Sequence, residues 1–414
     1  MKTFYIKTFG CQQNVADSER MASHYEGRGY RHITDETQGK KADLVVINSC
    51  MIRERAEERV YGYIRNLRKE RSSSEQHIIL TGCITGAAAR EPSGKLRKKL
   101  ATRIPDVELV PLEEVGFEHP PKRARSDTKH AWVIISNGCN NYCTFCIVPF
   151  SRGREISRPF KDIIDEINVL IAEGYNSVTL LGQNVNSYGT DLVLAQKKEE
   201  QKIYTLPSGD EVEPVFVKHL GRHRIPTLFP YLLDAVAKTK GLETVTFTSA
   251  NPWDYSDKLI EVIADNPNID RLLHLPVQSG SDPILKAMNR WYTADEYLDL
   301  IDRLRASVPG VSFATDIIVG FPGETESDFQ ATIDLCKDAG FIKAFISQYS
   351  PRPGTTATGK MEDSISIEEK KRRWEILNDQ VNIPNKGLSH KKDWMTTSTR
   401  KRKPKSTAAK EQVI

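Results

Sequence analysis

The sequence predicts an α/β protein in two parts: an N-terminal domain built on a doubly wound parallel sheet, followed by a partial (βα)6 barrel. Three observations predict it. Over residues 1–119 short β-branched or apolar runs alternate with helical stretches, which implies parallel strands covered by helices on both faces. Past a basic, proline-led stretch at 120–130, read as the linker, strand-like and helical patterns recur six times within residues 131–383. Each of the first three strands, and the first strand of the second part, leads to a cysteine.

In the first domain the strands are read at 3–9, 43–48 and 77–80 and the helices at 17–28 and 53–71. The strands end in Gly10-Cys11, Ser49-Cys50 and Gly82-Cys83. Ligands of open α/β sheets collect at the carboxyl ends of the strands, so three strand ends would bring three thiols together. A single buried cysteine after a strand is, by contrast, ordinary packing.

In the second domain strands fall at 132–136, 177–181, 244–248, 272–276, 313–319 and 344–349. Helices lie between them at 161–173, 229–240, 257–266, 293–306 and 324–339. The working face of such a barrel carries the carboxyl ends of its strands. Polar residues gather there: Gln183, Asn184 and Asn186, then Ser249 and Asn251, Gln278 and Ser279, Asp316, and finally Ser347 and Tyr349. Loop tops are polar in any barrel. Asp316 stands out because it sits inside an apolar run, where a buried carboxylate needs a partner. Residues 191–226 read as a surface insertion, with a charged run at 197–200 and a hairpin turning at Pro207-Ser208-Gly209-Asp210. From 384 to 414 apolar periodicity is lost, and the basic cluster at 400–405 marks a disordered, solvated tail.

A chain of 414 residues is long enough for two or three domains, and 39% hydrophobic with 28% charged residues is ordinary for a soluble globular protein. No apolar run approaches membrane-spanning length, and the chain opens directly on a strand-like Thr3-Phe4-Tyr5-Ile6. A cytoplasmic monomer without membrane association is therefore expected. Seven cysteines, three of them within eight positions, argue against a disulfide framework and for metal ligation in a reducing compartment. A net charge of +4 is too small to establish a nucleic-acid partner.

The densest feature is Gly138-Cys139-Asn140-Asn141-Tyr142-Cys143-Thr144-Phe145-Cys146, three thiols in C-x3-C-x2-C spacing without a fourth. A four-iron cluster normally takes four cysteine thiolates, so this loop would fill three irons and leave one open to a substrate or cofactor. A structural zinc site wants four N or S ligands, and the nearest downstream histidine, His219, lies in the insertion. Ferredoxin runs place a fourth cysteine before proline, whereas Cys146 is followed by Ile147-Val148-Pro149. Spacing leaves a site-differentiated cluster, a zinc site and unliganded thiols open. Cys336, in a helix away from every motif, reads as a packed thiol.

These residues resemble the radical S-adenosylmethionine enzymes, whose barrel carries C-x3-C-x2-C on its first loop, and more narrowly the methylthiotransferases, which place a second three-cysteine cluster before that barrel. The resemblance rests on Gly10-Cys11-Gln12-Gln13-Asn14, Asn48-Ser49-Cys50, Gly82-Cys83, Ser151-Arg152-Gly153-Arg154 with Ser157-Arg158-Pro159, His274 to Gly280, and Ile318 to Thr325. It continues through Pro351 to Thr355 and covers roughly residues 1–383. Leu181 to Gly189 is similar to the tRNA-modifying, MiaB-like branch.

That resemblance implies two 4Fe-4S clusters, one held by Cys139, Cys143 and Cys146 and an auxiliary one held by Cys11, Cys50 and Cys83, all six named as catalytic. It also implies two molecules of S-adenosylmethionine per turnover, one a methyl donor and one a radical source, with an external electron donor and sulfur source. Phe145 would lie near the adenine, with Gln183, Ser249, Gln278 and Asp316 as further cofactor contacts. The implied substrate is tRNA carrying N6-isopentenyladenosine beside the anticodon, converted to its 2-methylthio form. Alternatives are threonylcarbamoyl-adenosine in tRNA, an aspartate of a ribosomal protein or, in another class, a non-catalytic RNA-binding protein with structural metal sites. The chain departs from the family in one place: where members finish with a small RNA-binding β-barrel, a helix at 367–380 is followed by the basic tail.

Overall fold

The computed structural model describes residues 1–51, 54–70, 76–115, 127–197, 202–219 and 223–385. Most of the expected linker, part of the charged run in the insertion and the basic tail lie outside the described residues.

Strands β1 (Thr3–Thr8), β2 (Arg31–His32), β3 (Leu44–Ser49), β4 (His77–Gly82) and β5 (Glu108–Leu109) form one parallel sheet in the order β2-β1-β3-β4-β5. β3 is buried at every position, as the central strand of a sheet covered on both faces must be. Its alternating side chains feed two cores. Val45 and Ile47 pack with Ile78, Leu80, Val60 and Ile64 on one face, while Leu44 and Val46 pack with Phe4, Met21 and Tyr25 on the other. The edge strands β2 and β5 have two residues each, too few to show any periodicity in the sequence.

The second part begins with β6 (His130–Ile134), which runs into an antiparallel ribbon of β7 (Ser136–Asn137) and β8 (Ile156–Ser157). β9 (Ser177–Leu181) precedes the insertion, where β10 (Tyr204–Thr205) and β11 (Glu211–Val212) make the expected hairpin with Gly209 at φ +90°. A second hairpin follows, β12 (Val215–His219) with β13 (His223–Thr227). β14 (Thr244–Phe247), β15 (Leu272–His274), β16 (Ser312–Val319) and β17 (Lys343–Gln348) complete the six barrel strands. They lie as two parallel sheets, β6-β9-β14 and β15-β16-β17, joined by the parallel bridge Val245–Ile269. The observed segments match the six expected strands to within a few residues.

Ala131, Val133 and Ile135 point from the first barrel strand into the main core, whereas Trp132 and Ile134 face the other way. There, with Leu181, they pack on Ala16 of the helix Gln12–Gly27. The N-terminal helix thus seats its apolar side on the face of β6 and β9 that the barrel leaves open. Among the described residues no helix is long and apolar enough to cross a membrane.

Candidate functional site: two cysteine triads at one junction

The order of the first sheet reverses between β1 and β3, which places a topological switch point at their carboxyl ends. Cys11 follows β1, Cys50 follows β3 and Cys83 follows β4, so the topology collects three thiols that lie far apart in sequence. A hydrogen-bond network fixes those strand ends. Asn14 Nδ2 donates to Asn48 Oδ1 (3.0 Å) and Asn48 Nδ2 donates to the Asn14 carbonyl (2.8 Å) and to Ser18 Oγ (2.9 Å). Cys11 Sγ donates to Asn14 Oδ1 at 3.5 Å. Gly82 sits at φ +93°, and a Cβ there would come within 2.4 Å of the Ser49 carbonyl, so the turn into Cys83 admits only glycine.

The second triad is local. The ribbon β7–β8 closes a loop from Ser136 to Ser157 that holds Cys139, Cys143 and Cys146. Cys139 N donates to the Gly153 carbonyl (3.1 Å) and Cys146 N to the Cys143 carbonyl (2.9 Å). Thr144 N and Oγ1 donate to the carbonyls of Met288 (3.1 Å) and Ala287 (2.8 Å), which ties the loop to the far side of the barrel.

Each triad has a buried arginine. Arg290 Nη1 reaches Cys143 Sγ at 3.6 Å and donates to Asn251 Oδ1 at 3.0 Å, while Nη2 donates to the Pro276 carbonyl at 2.5 Å. Its guanidinium lies 4.5 Å from the Trp253 ring centroid. Burial works against its charge, and neighbouring Tyr292 and Cys143 outweigh that, holding it protonated. Arg152, from the loop of the second triad, donates to Asp17 Oδ2 at 2.7 Å and to Asn137 Oδ1 at 3.0 Å. The Arg152 and Asp17 side chains are 2% and 3% exposed. Burial opposes the Arg152 charge, and Asp17, followed by Cys83 and Cys11, outweighs it. Arg152 thus belongs to the barrel by sequence and to the N-terminal domain by contact.

The junction is close-packed. Helix Cys83–Arg90 lies against helix Val148–Arg152, and a Cβ on Gly86 would fall 2.0 Å from the Ser151 carbonyl. Arg90 Nη1 donates to that same carbonyl at 2.9 Å, and Ile147 is buried within the N-terminal core.

Whether the thiols fit a cluster can be read from their spread and charge. Among the described residues no three His, Cys, Asp or Glu side chains converge tightly enough to hold one metal ion. Three thiols in each set form a donor set that suits a cluster in which each thiolate takes its own iron. Burial first, then the charges of Glu155, Cys146 and Cys143, push the Cys139 thiol well up. Burial and then Cys143 push Cys146 up to about 12, with Arg290 opposing and Cys83 of the other triad adding to the rise. Burial raises Cys11, with Arg152 opposing and Cys83 reinforcing. These three thiols are therefore protonated at neutral pH, and any metal they bind must displace protons.

The other expected contacts lie at the barrel mouth. Ser249 N donates to His274 Nδ1 (3.5 Å), His274 Nε2 lies 3.3 Å from Asp316 Oδ2, and Gln278 N donates to the Asp316 carbonyl (2.8 Å), so three of the four form one chain through His274. Gln183 stands half-buried on the turn after β9, and Phe145 packs against the main core. Asp316 is not the buried carboxylate its apolar run suggested. Its side chain is 39% exposed, because it shares with Ile318 the half-open face of β16. Cys336 is buried in helix Glu326–Ala339, as expected of a packed thiol.

Sequence reasoning gave Arg152 no role and passed over Arg290, Glu155 and Asp254. Glu155 accepts from Ser187 Oγ at 2.6 Å, and Asp254 accepts from Asn184 Nδ2 at 2.7 Å. Burial pushes Glu155 up to about 8, with the Ser187 hydrogen bond opposing and the charges of Asp254 and Asp191 adding. One backbone signal marks the site: Tyr142, Ser249, Gln278 and Asn289, the four non-glycine residues at positive φ among those described, all lie at the cysteine loop or the barrel mouth.

Family models agree with this geometry. The Radical SAM superfamily matches residues 133–336, and residues 3–104 match the uncharacterized protein family UPF0004. A tRNA-2-methylthio-N(6)-dimethylallyladenosine synthase of Thermotoga petrophila is 39% identical over 397 residues, covering 90% of this chain and 80% of the relative. A like-named enzyme of Mycobacterium sp. strain JLS is 40% identical over 402 residues, covering 91% and 72%. The chain belongs to this methylthiotransferase family of radical S-adenosylmethionine enzymes, which implies a 4Fe-4S cluster and S-adenosylmethionine. The fold also matches the radical S-adenosylmethionine methyltransferase TsrM from Kitasatospora setae, solved with cobalamin and a 4Fe-4S cluster. There the TM-score is 0.56 at 13% identity, covering 86% of this chain and 77% of that one.

Proposed function

We propose that this chain is a tRNA methylthiotransferase that converts N6-isopentenyladenosine beside the anticodon to its 2-methylthio derivative. It is an enzyme of the radical S-adenosylmethionine class, and its relatives at about 40% identity carry the name of that reaction. Cys139, Cys143 and Cys146 would hold the cluster that takes S-adenosylmethionine, and Cys11, Cys50 and Cys83 an auxiliary cluster. When bound, these groups supply the one-electron cleavage and the sulfur that an unactivated aromatic C–H bond requires, since that bond offers no acidic proton to a side-chain base. The single observation that carries the reading is the junction. Helix Cys83–Arg90, which opens on a cysteine of one triad, packs on helix Val148–Arg152, which follows the other, and Arg152 pairs with buried Asp17 at 2.7 Å.

The chain's own residues have definite work at this junction. Arg290 holds Cys143 in place with a charge-assisted hydrogen bond, and Arg152 sets a fixed cation beside Cys11 and Cys83. The close packing of helices Cys83–Arg90 and Val148–Arg152 fixes the segments that carry Cys83 and the loop triad against each other. Phe145, Gln183, Ser249, Gln278 and Asp316 are offered as further contacts of S-adenosylmethionine, two molecules of which would be used per turnover. Mass analysis of tRNA nucleosides from cells with and without the chain tests the reading. The 2-methylthio form of N6-isopentenyladenosine should vanish with the chain, and a loss confined to threonylcarbamoyl-adenosine derivatives would overturn the substrate assignment.

A further inference from the structure

We infer that Tyr142 and Phe150 form a stacking platform for an unpaired base next to the adenosine that is modified, with Arg154, the exposed cation of the same segment, for the RNA backbone; this rests on the tRNA reading above. Nine large hydrophobic side chains are well exposed among the described residues. Three of them, Tyr142 at 47%, Phe150 at 37% and Ile156 at 67%, fall on the one segment that carries the loop cysteines. The Tyr142 and Phe150 rings meet edge to face, with centroids 6.4 Å apart at 81°. In such a pair at least one ring is met only at its edge, which leaves its faces to another partner.

The backbone under Tyr142 is fixed in a conformation that a bulky residue rarely adopts, φ +47°. Asn289 Nδ2 donates to the carbonyls of Asn141 (3.3 Å) and Tyr142 (3.1 Å), and Trp291 Nε1 donates to Asn289 Oδ1 (3.0 Å). Strain of this kind persists where the surroundings enforce it, and it concentrates at working sites. Here it accompanies an aromatic ring held out in solvent one position before a proposed ligand, Cys143.

Charge selects the partner. Between Gly138 and Ile156 the one exposed charged side chain is Arg154, and the neighbouring carboxylate, Glu155, is buried. A segment that exposes rings and a cation but no carboxylate of its own suits single-stranded RNA loops, whose splayed bases stack on aromatic side chains. A stable protein interface uses about 20–30 residues a side, far more than this patch offers.

The test uses the reconstituted full-length holoenzyme and an anticodon stem-loop RNA carrying N6-isopentenyladenosine. Tyr142→Ala and Phe150→Ala are each expected to raise the Kd for this RNA about tenfold with iron content unchanged, and Tyr142→Phe to bind as the wild type does. An abasic nucleotide at one of the two positions flanking the adenosine should cost the wild type a similar factor and the double alanine variant nothing further. Should Tyr142→Ala lose iron, Phe150→Ala carries the decision, since its side chain lies on a helix beyond the ligands. An unchanged Kd in Phe150→Ala, or losses from abasic RNA and variants that simply add, overturns the platform. A wild-type holoenzyme that binds this RNA and leaves it unmodified overturns the tRNA reading instead.

Discussion

The two cysteine triads present the same chemistry, three thiols without a fourth, and are built in opposite ways. The loop triad lies within eight consecutive residues, and a short antiparallel ribbon with a few backbone hydrogen bonds suffices to shape it. The N-terminal triad is assembled from the ends of three strands and depends on Asn14, Asn48 and Gly82 to keep those ends in register. The difference teaches where each is vulnerable: one to changes in its loop, the other to anything that disturbs the sheet or the junction that supplies Arg152.

The comparison breaks most completely at the ligands themselves. Replacing Cys11, Cys50 and Cys83 with alanine should abolish methylthiolation and lower iron after anaerobic reconstitution from about eight to about four per chain. The corresponding triple variant of the loop should lose the other half and, with it, reductive cleavage of S-adenosylmethionine. Iron analysis with assay of 5′-deoxyadenosine decides it, and a first variant that still methylthiolates RNA would sink the two-cluster assignment.

The arginines sharpen the comparison. Arg152→Met strands Asp17 as a buried, unpaired carboxylate and should cost about 3–5 kcal/mol, read by denaturant unfolding. It should also loosen the N-terminal sheet in hydrogen exchange, because its partners lie across the junction. Arg290→Met leaves no such carboxylate behind, so its unfolding cost should be smaller, with its main effect on the electronic spectrum of the cluster proposed for the loop. Equal protection of the N-terminal sheet in both variants would erase the distinction. Gly86→Ala forces a Cβ against the Ser151 carbonyl and should destabilise by about 1–3 kcal/mol, again with the loss concentrated at the junction.

Sequence legibility follows the same divide. The loop triad is visible in nine letters, and the six barrel strands show as apolar runs because their faces are buried. The N-terminal triad was legible only after the strands were read, since its meaning comes from topology. Arg152 and Arg290 were harder still. A buried arginine looks like a surface arginine in sequence, and what sets it apart is a partner such as Asp17, 135 positions away, or Cys143, 147 positions away. Asp316 erred in the other direction: the apolar letters around it suggested burial, but alternation along β16 put it on the half-open face.

A pH-dependent effect is expected at Glu155. Its carboxyl is raised from the ordinary 4.5 to about 8 in the folded chain, so between those values the unfolded chain has lost a proton that the folded one keeps. Stability should fall as pH rises through that window and level off above it. Glu155→Gln should flatten this part of the profile, a difference on the order of a few kcal/mol at its upper end. Parallel profiles for the two proteins in thermal unfolding would show that the proton is not held there.

The scattered origin of the N-terminal triad also bears on how the molecule matures. In an unfolded chain the loop thiols remain neighbours, because only short segments separate them, and the entropy of bringing them together is small. Cys11, Cys50 and Cys83 must close segments of more than 30 residues each, and only a formed sheet does so. A nascent chain therefore has its loop thiols gathered as soon as that loop is synthesised, while its first-made cysteines wait for tertiary structure. The proposed auxiliary cluster, if held there, would therefore report that the N-terminal sheet has formed.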